Sequence, residues 1–295
     1  MDVEMKIQEP INKVTRKQKL KNYSKHPGSF LLALLTKLAI LLTVLALGFI
    51  LIYILVKGIP NLSTDLFALK YTTENVSMLP AIINTLMITL LSLCIAGPIG
   101  IFSAIYLVEY AKKGNKLVGV VRVTAETLTG IPSIVYGLFG MLFFVTTLKC
   151  GYSLLAGALT LSIMVLPVIM RTTEEALLAV PNSFREGSFG LGAGKLRTIF
   201  KIVLPSAVPG ILAGVILAIG RIVGETAALI YTAGTVAEIP SSIMSSGRTL
   251  AIHMYSLSKE GLYTNQAYAT AVVLLIVVVL INMLSNFVAK KFTKK

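Results

Sequence analysis

Six apolar runs, at 30–56, 77–107, 128–148, 153–171, 206–232 and 267–289, dominate the chain. A helix needs about 20 apolar residues to cross the hydrocarbon core of a bilayer. The runs therefore predict an all-α integral membrane protein with six transmembrane helices. Composition agrees, because only 14% of the 295 residues are charged, against about 25% in an average soluble domain. The first run is 27 residues long and follows a mostly polar stretch of 29. The apolar core of a cleavable signal is only about 7–15 residues, so this segment is read as a retained span. The chain then divides into a basic tail, 1–29, and a membrane domain, 30–295, whose core covers about 77–289. Gly97-Pro98 and Gly100 interrupt the second run, where a kink is expected. The third and fourth runs are separated only by the turn Lys149 to Tyr152.

The net charge of +14 raises the question of nucleic acid, and the distribution of the basic residues answers it. A nucleic-acid binder gathers them on one soluble face, whereas here they fill the breaks between apolar runs. Basic residues in short loops favour the cytoplasmic side. With the N-terminus inside, that side holds seven in the tail and four in 109–127 (Lys112, Lys113, Lys116, Arg122). It also holds four in 172–205 (Arg185, Lys195, Arg197, Lys201) and four at the C-terminus. The outside holds five: Lys57, Lys70, Lys149, Arg248 and Lys259. Both termini are expected in the cytoplasm, in a cell membrane. Cys94 and Cys150 stand alone, with neither a CxxC nor a Cys/His cluster, and are expected to be buried free thiols rather than a disulfide or a zinc site.

Gly97, Gly100, Gly157, Ala158, Gly210, Gly214, Gly220 and Gly224 place small residues inside the runs. Such residues let helix backbones approach closely within a membrane.

The segment 172–205 is the most specific. Ser183 followed by Glu186 reads as a capping box, which starts a helix. Gly190-Leu-Gly-Ala-Gly194 reads as its stop, and a second short helix, about 195–204, should end at Pro205. Glu186-Gly187-Ser188, three residues, Gly192, nine residues, Ile202, one residue and Leu204-Pro205 follow one long fixed spacing. This spacing is similar to the Glu-Ala-Ala signature of binding-protein-dependent ABC importer permeases, with Gly187 and Ser188 standing for the alanines. Both are small, so a slim helix face survives. The resemblance implies a type I ABC importer permease fold (MetI-like), in which Ser183, Glu186, Gly187, Ser188, Gly192, Ile202, Leu204 and Pro205 belong to a cytoplasmic coupling-helix loop that docks on an ATPase. The chain itself is no ATP binder. Gly194-Lys195 has Phe189 where a phosphate loop needs glycine and Leu196 where it needs Ser or Thr.

Further stretches resemble the PstA-type permeases of phosphate ABC importers. They are Pro80 to Leu86, Ala104 to Tyr110, Thr127 to Gly137, Gly220 to Ala227 and Ala251-Ile-His-Met-Tyr255, and the resemblance covers nearly all of the chain after the tail. The tail has no counterpart in that pattern. The resemblance implies a PstC-like second permease, a PstB-like ATPase dimer carrying ATP and Mg, and a PstS-like external phosphate-binding protein. No catalytic residue, metal or cofactor is expected on this chain. The residues admit a phosphate path. Arg221 lies about 24 Å along a helix from Pro205 at ~1.5 Å per residue, with Glu225 one turn on. Arg171 and Glu174 form an i, i+3 pair. A charge at that depth faces a partner or a polar pathway, and guanidinium suits phosphate. Mutual neutralisation of Arg221 and Glu225 is the competing reading, and Arg171 reads equally as a membrane anchor. Glu126 is a weaker pathway candidate at the membrane surface. His253 reads as a surface or structural histidine.

Rival functions fare worse. An integral membrane enzyme needs a cluster of reactive groups, and His26 and His253 cannot supply one. A secondary transporter does not explain the 186–205 loop. A permease for sulfate or molybdate is the main alternative within the class. The charge distribution predicts that a cysteine at position 290, in a background lacking Cys94 and Cys150, is not labelled by an impermeant thiol reagent added outside. Selective external labelling would reject the orientation.

Overall fold

The computed structural model describes residues 27–112 and 114–293. The basic tail as far as residue 26, Lys113, Lys294 and Lys295 lie outside the described residues. The chain divides into two units at Ile54 and Leu55.

The first unit is represented by the greater part of α1 (Pro27–Gly58). Its side chains are exposed and almost all apolar. The two threonines cost nothing in such a setting. The Thr36 and Thr43 hydroxyls donate to the carbonyls of Leu32 and Ala39 one turn back, each at 2.8 Å.

The second unit is built on α2 (Leu79–Ile105, continued by a π-helical turn at Tyr106–Tyr110), α5 (Leu154–Leu178) and α8 (Leu204–Val223). Helix α5 packs most extensively against α2 and next against α8. Between α5 and α2 the Ser162 hydroxyl donates to Ser92 O at 3.1 Å, and the Ser92 hydroxyl approaches Ala158 O at 3.3 Å. Buried Ile88, Ala96, Leu161, Met164 and Ala218 fill the space around these bonds. Pro98 lies within α2, which stays helical through it.

The helix within the third apolar run, 128–148, is too short to span alone. The run holds only the last two residues of α3 (Lys116–Thr129) and the whole of α4 (Ser133–Gly140, extended by a π-helical turn at Met141–Thr147), and the two form a bent pair turned by 104°. Pro132 offers no N–H and biases Ile131 away from helical geometry, so the chain turns there. Among the described residues five helices are long and apolar enough to span a bilayer, and the bent pair makes a sixth if counted as one span. The remaining helices are α6 (Asn182–Gly190), α7 (Lys195–Thr198), α9 (Ala227–Ile230), α10 (Leu250–Glu260) and α11 (Thr264–Thr293).

Two expectations change on inspection. Cys94 is exposed and Cys150 partly so, and neither is a buried thiol. The glycines also divide. A Cβ on Gly210 would meet that of Ala176 at 2.6 Å, and one on Gly214 would overlap the Thr172 hydroxyl. Gly97 and Gly220 have nothing within 4 Å, so their small size is not required by packing. Gly214→Leu should therefore force α8 from α5 and lower stability by roughly 1–3 kcal/mol, while Gly220→Ala should leave it unchanged or raised. The unfolding midpoints of the purified variants measure the contrast. Equal midpoints would reject the close approach.

Candidate functional site

The loop between α5 and α8 begins with Pro181, whose φ of −56° already suits the residue preceding helix α6. The expected capping box does not form. Ser183 is the second helical residue, and no side chain caps α6. Instead Phe184 N donates to Pro181 O at 3.2 Å. The stop is as expected and has a definite geometry. Gly192, at φ +78°, is the left-handed residue of a Schellman turn. Ala193 N donates to Ser188 O at 3.1 Å and Gly192 N to Phe189 O at 2.9 Å.

Ser188 is buried and shares a 2.8 Å hydrogen bond with the Thr198 hydroxyl, which ties α6 to α7. Pro205 does not end the second helix. The chain stays helical from α7 through a π-helical turn at Ile199–Val203 into α8. Pro205 lies just after that π-helical turn, within the continuous helical stretch, and offers no N–H to the turn before it. Ser183, Gly187, Gly192 and Ile202, with Phe184 and Leu191, line an open groove of about 540 Å³. Leu191 is 91% exposed. Glu186 is exposed, and Leu204 is half-buried beside the groove. The groove is slim and partly apolar, on an otherwise polar loop.

The residue that joins this loop to the membrane helices is Arg185, which composition and spacing did not single out. Its Nη2 donates to Glu109 Oε1 at 2.7 Å, and its Nε to the same oxygen at 3.1 Å. Nη1 donates to Val180 O at 2.8 Å and Nη2 to Leu177 O at 2.9 Å. One guanidinium thus holds the carboxylate at the end of α2 and two carbonyls at the end of α5. Both charged side chains are largely buried. Helix C-termini leave carbonyls without partners, and a cation is favoured there.

A second charged cluster sits where α3 meets α5. The expected Arg171–Glu174 pair is not formed. Arg171 bonds Glu175, one full turn on, at 3.2 Å, and lies 3.9 Å from Glu126. Glu174 is buried against α3 and pairs with Arg122. The difference is one of facing: Glu175 shares the exposed stripe with Arg171, and Glu174 points into the contact. Arg122, Glu126, Arg171, Glu174 and Glu175 surround a cavity of about 310 Å³.

Arg221 and Glu225 are also not a pair. Helix α8 ends at Val223, so the one-turn spacing does not place them on one face. Glu225 is buried and turns its carboxylate to accept Ala228 N at 3.0 Å, capping α9. Arg221, in the last turn of α8, has no ion pair among the described residues. It lies within electrostatic reach of Tyr136, whose hydroxyl donates to Leu128 O at 2.7 Å. A half-buried guanidinium without a carboxylate can receive an anion.

His253 is not a surface histidine: it is fully buried in α10. Burial first, and the charge of Arg248 second, lower its pKa to about 3 from the ordinary 6.5. It is neutral at physiological pH.

Residues 96–295 match the family described as "Binding-protein-dependent transport system inner membrane component". The chain is 32% identical to the Bacillus subtilis "Probable ABC transporter permease protein YqgI", covering 82% of this chain and 88% of that one. It is 38% identical to the "Phosphate transport system permease protein PstA" of Pasteurella multocida, over 87% of this chain and 92% of the other. A chain of a bacterial alginate ABC transporter shares the fold with TM-score 0.67 at 17% identity, over 92% of this chain and 98% of that one.

The Arg185 geometry makes a measurable demand. Arg185→Ala leaves Glu109 buried without its cation, which costs roughly 3–5 kcal/mol. Glu109→Gln should cost less, and the two together less than their sum, because they act through one bond. Unfolding midpoints of the two single variants and the double variant check this. Simple additivity would show that the bridge is not made.

Proposed function

Because the chain belongs to the family of binding-protein-dependent transport system inner membrane components, we propose that it forms one permease half of an ATP-driven importer of inorganic phosphate. The observation that carries the substrate is the 38% identity, over 92% of its length, with a relative named for phosphate transport. Arginine chemistry supports it. Arg221 offers a permanent planar cation with no carboxylate of its own, and dianionic or monoanionic phosphate fits such a donor.

In this reading the groove around Gly187, Gly192 and Leu191 receives a helix or edge of a PstB-like ATPase dimer, which alone holds ATP and Mg. Motion of the docked loop reaches α2 and α5 through Arg185. A PstC-like permease supplies the other half of the path, and a PstS-like protein delivers phosphate from outside. The loop end faces the cytoplasm, as do both termini. This chain carries out no covalent chemistry.

The test is uptake by the complete importer in proteoliposomes with ATP enclosed and loaded binding protein outside. Phosphate should accumulate only with both. Accumulation of sulfate or molybdate instead would overturn the substrate, and uptake without ATP would overturn the class. Arg221→Gln should lower phosphate uptake per assembled complex by about tenfold or more, the worth of a charge-assisted hydrogen bond of ~1.5–3 kcal/mol. Adding Glu225→Gln should not restore it, since the two do not neutralise each other. Restoration by the double variant would return Arg221 to a structural role.

A further inference from the structure

Far from the docking loop, at the opposite end of α2, lies a set of buried polar atoms that neither the docking loop nor Arg221 uses. Arg248 immediately precedes Thr249, the N-cap residue of α10. Its guanidinium is 4.6 Å from the centre of the Tyr71 ring, and His253 meets that ring edge-on at 6.2 Å. Arg248 is 6% exposed and His253 0%.

The unmade bonds are what distinguish the place. Arg248 Nε and Nη2, Asn84 Oδ1 and Thr249 Oγ1 are buried without a hydrogen-bond partner among the described residues. The buried imidazole of His253 is held by the backbone of Val76 through one nitrogen, which leaves the other as an unmet acceptor. Asn84 is held in place by its amide, which donates to Arg248 O at 3.1 Å and Glu238 O at 3.0 Å. Thr249 does not cap α10 with its side chain. The first N–H of the helix, that of Leu250, goes instead to the Thr85 hydroxyl at 2.8 Å. No carboxylate pairs with Arg248 among the described residues. A buried charge left in this condition is costly, and so is each unsatisfied buried polar group.

We propose that the N-terminal turn of α10, with Arg248, His253, Asn84 and Tyr71, is an oxyanion site on the outer side that takes hydrogen phosphate. The proposal rests on the importer reading and deepens it. Three features converge. Nε and Nη2 form one edge of the guanidinium, the fork that binds two oxygens of a tetrahedral anion side by side. Tyr71 sits over the guanidinium and claims none of its N–H groups. The helix N-terminus adds its partial positive charge and spare N–H groups.

The acceptors set the chemical class. A neutral imidazole presents one acceptor nitrogen, and Asn84 Oδ1 can only accept. A protonated oxyanion answers both kinds of group, with P–O⁻ toward Arg248 and P–OH toward an acceptor. Sulfate carries no proton at neutral pH and leaves the acceptors unmet.

Ligand binding to the folded state alone raises its stability with concentration. The test is the unfolding midpoint of the whole importer in nanodiscs, without binding protein, titrated with inorganic phosphate, arsenate or sulfate. Phosphate and arsenate should raise the midpoint, and sulfate should not. In Arg248→Gln the rise should vanish, and in Arg248→Lys its half-saturating phosphate should increase by about tenfold or more. Tyr71→Leu, which keeps the guanidinium, should raise it several-fold and serves as an independent variant. Absence of a phosphate response in the unaltered protein, or an unchanged response in Arg248→Gln, overturns the site. An equal response to sulfate overturns the assigned class. Phosphate uptake by the same preparation separates this from the importer reading: uptake with no midpoint response rejects the site alone.

Discussion

Inside a bilayer the hydrophobic effect does not press one helix against another, since lipid is as apolar as leucine. Contact must come from close packing and from polar groups that satisfy each other. The α2–α5 seam meets both conditions. Serine hydroxyls bond across it, and Ile169 lies against the backbone at Gly100. Two-thirds of the most apolar window of α5, 67%, is buried, against 39% for α2 and 33% for the span that holds α8. Helix α5 is therefore the post to which the others are fixed. The charged cluster beside α3 and the docking loop beyond Leu178 inherit their positions from it.

That dependence explains how a surface loop can report on a membrane helix. A loop joined to a helix only through its own chain transmits little, because each intervening residue has soft dihedrals. Arg185 bypasses the chain by binding Glu109 and two carbonyls of the α5 terminus at once. The Ser188–Thr198 hydrogen bond does the same between the two short helices. The loop is thus tied to the ends of α2 and α5, which is the mechanical condition that the proposed coupling requires.

What was legible in the sequence follows from what each signal depends on. Apolar run length depends only on the bilayer, and five of the six expected spans are single helices long enough to cross it, the sixth only if the bent pair α3 and α4 is counted as one. The end of α6 was legible because its Gly192 turn is a local backbone requirement. The failures are of two kinds. Pro181 and Gly224 acted through backbone geometry that side-chain spacing ignores. The first displaced the capping box at Ser183, and the second ended α8 before Glu225 could join Arg221. Arg185–Glu109 and Arg122–Glu174 join residues distant in sequence, and no pattern within one helix announces them. Arg248 was counted only as one outside charge, since nothing in a loop sequence tells a solvated arginine from a buried one.

The arginines then sort by what faces them. Arg122, Arg171 and Arg185 each meet a carboxylate. All three lie around the loop end, where they fix helices to one another. Arg221 and Arg248 meet none among the described residues, although one is half-buried and the other almost wholly enclosed. A protein under selection for stability alone would pair or replace such groups, since well-packed apolar residues commonly do better than buried charge. A protein that moves an anion cannot pair them all. Each carboxylate supplied to a path arginine competes with the cargo for the same fork of N–H groups. Arg197 also lacks a carboxylate among the described residues, but it is exposed on the loop. In the proposed reading the two unpaired arginines withdrawn from solvent, Arg221 and Arg248, are where stability is given up for the passage of a negative charge, and the paired ones hold the chain together.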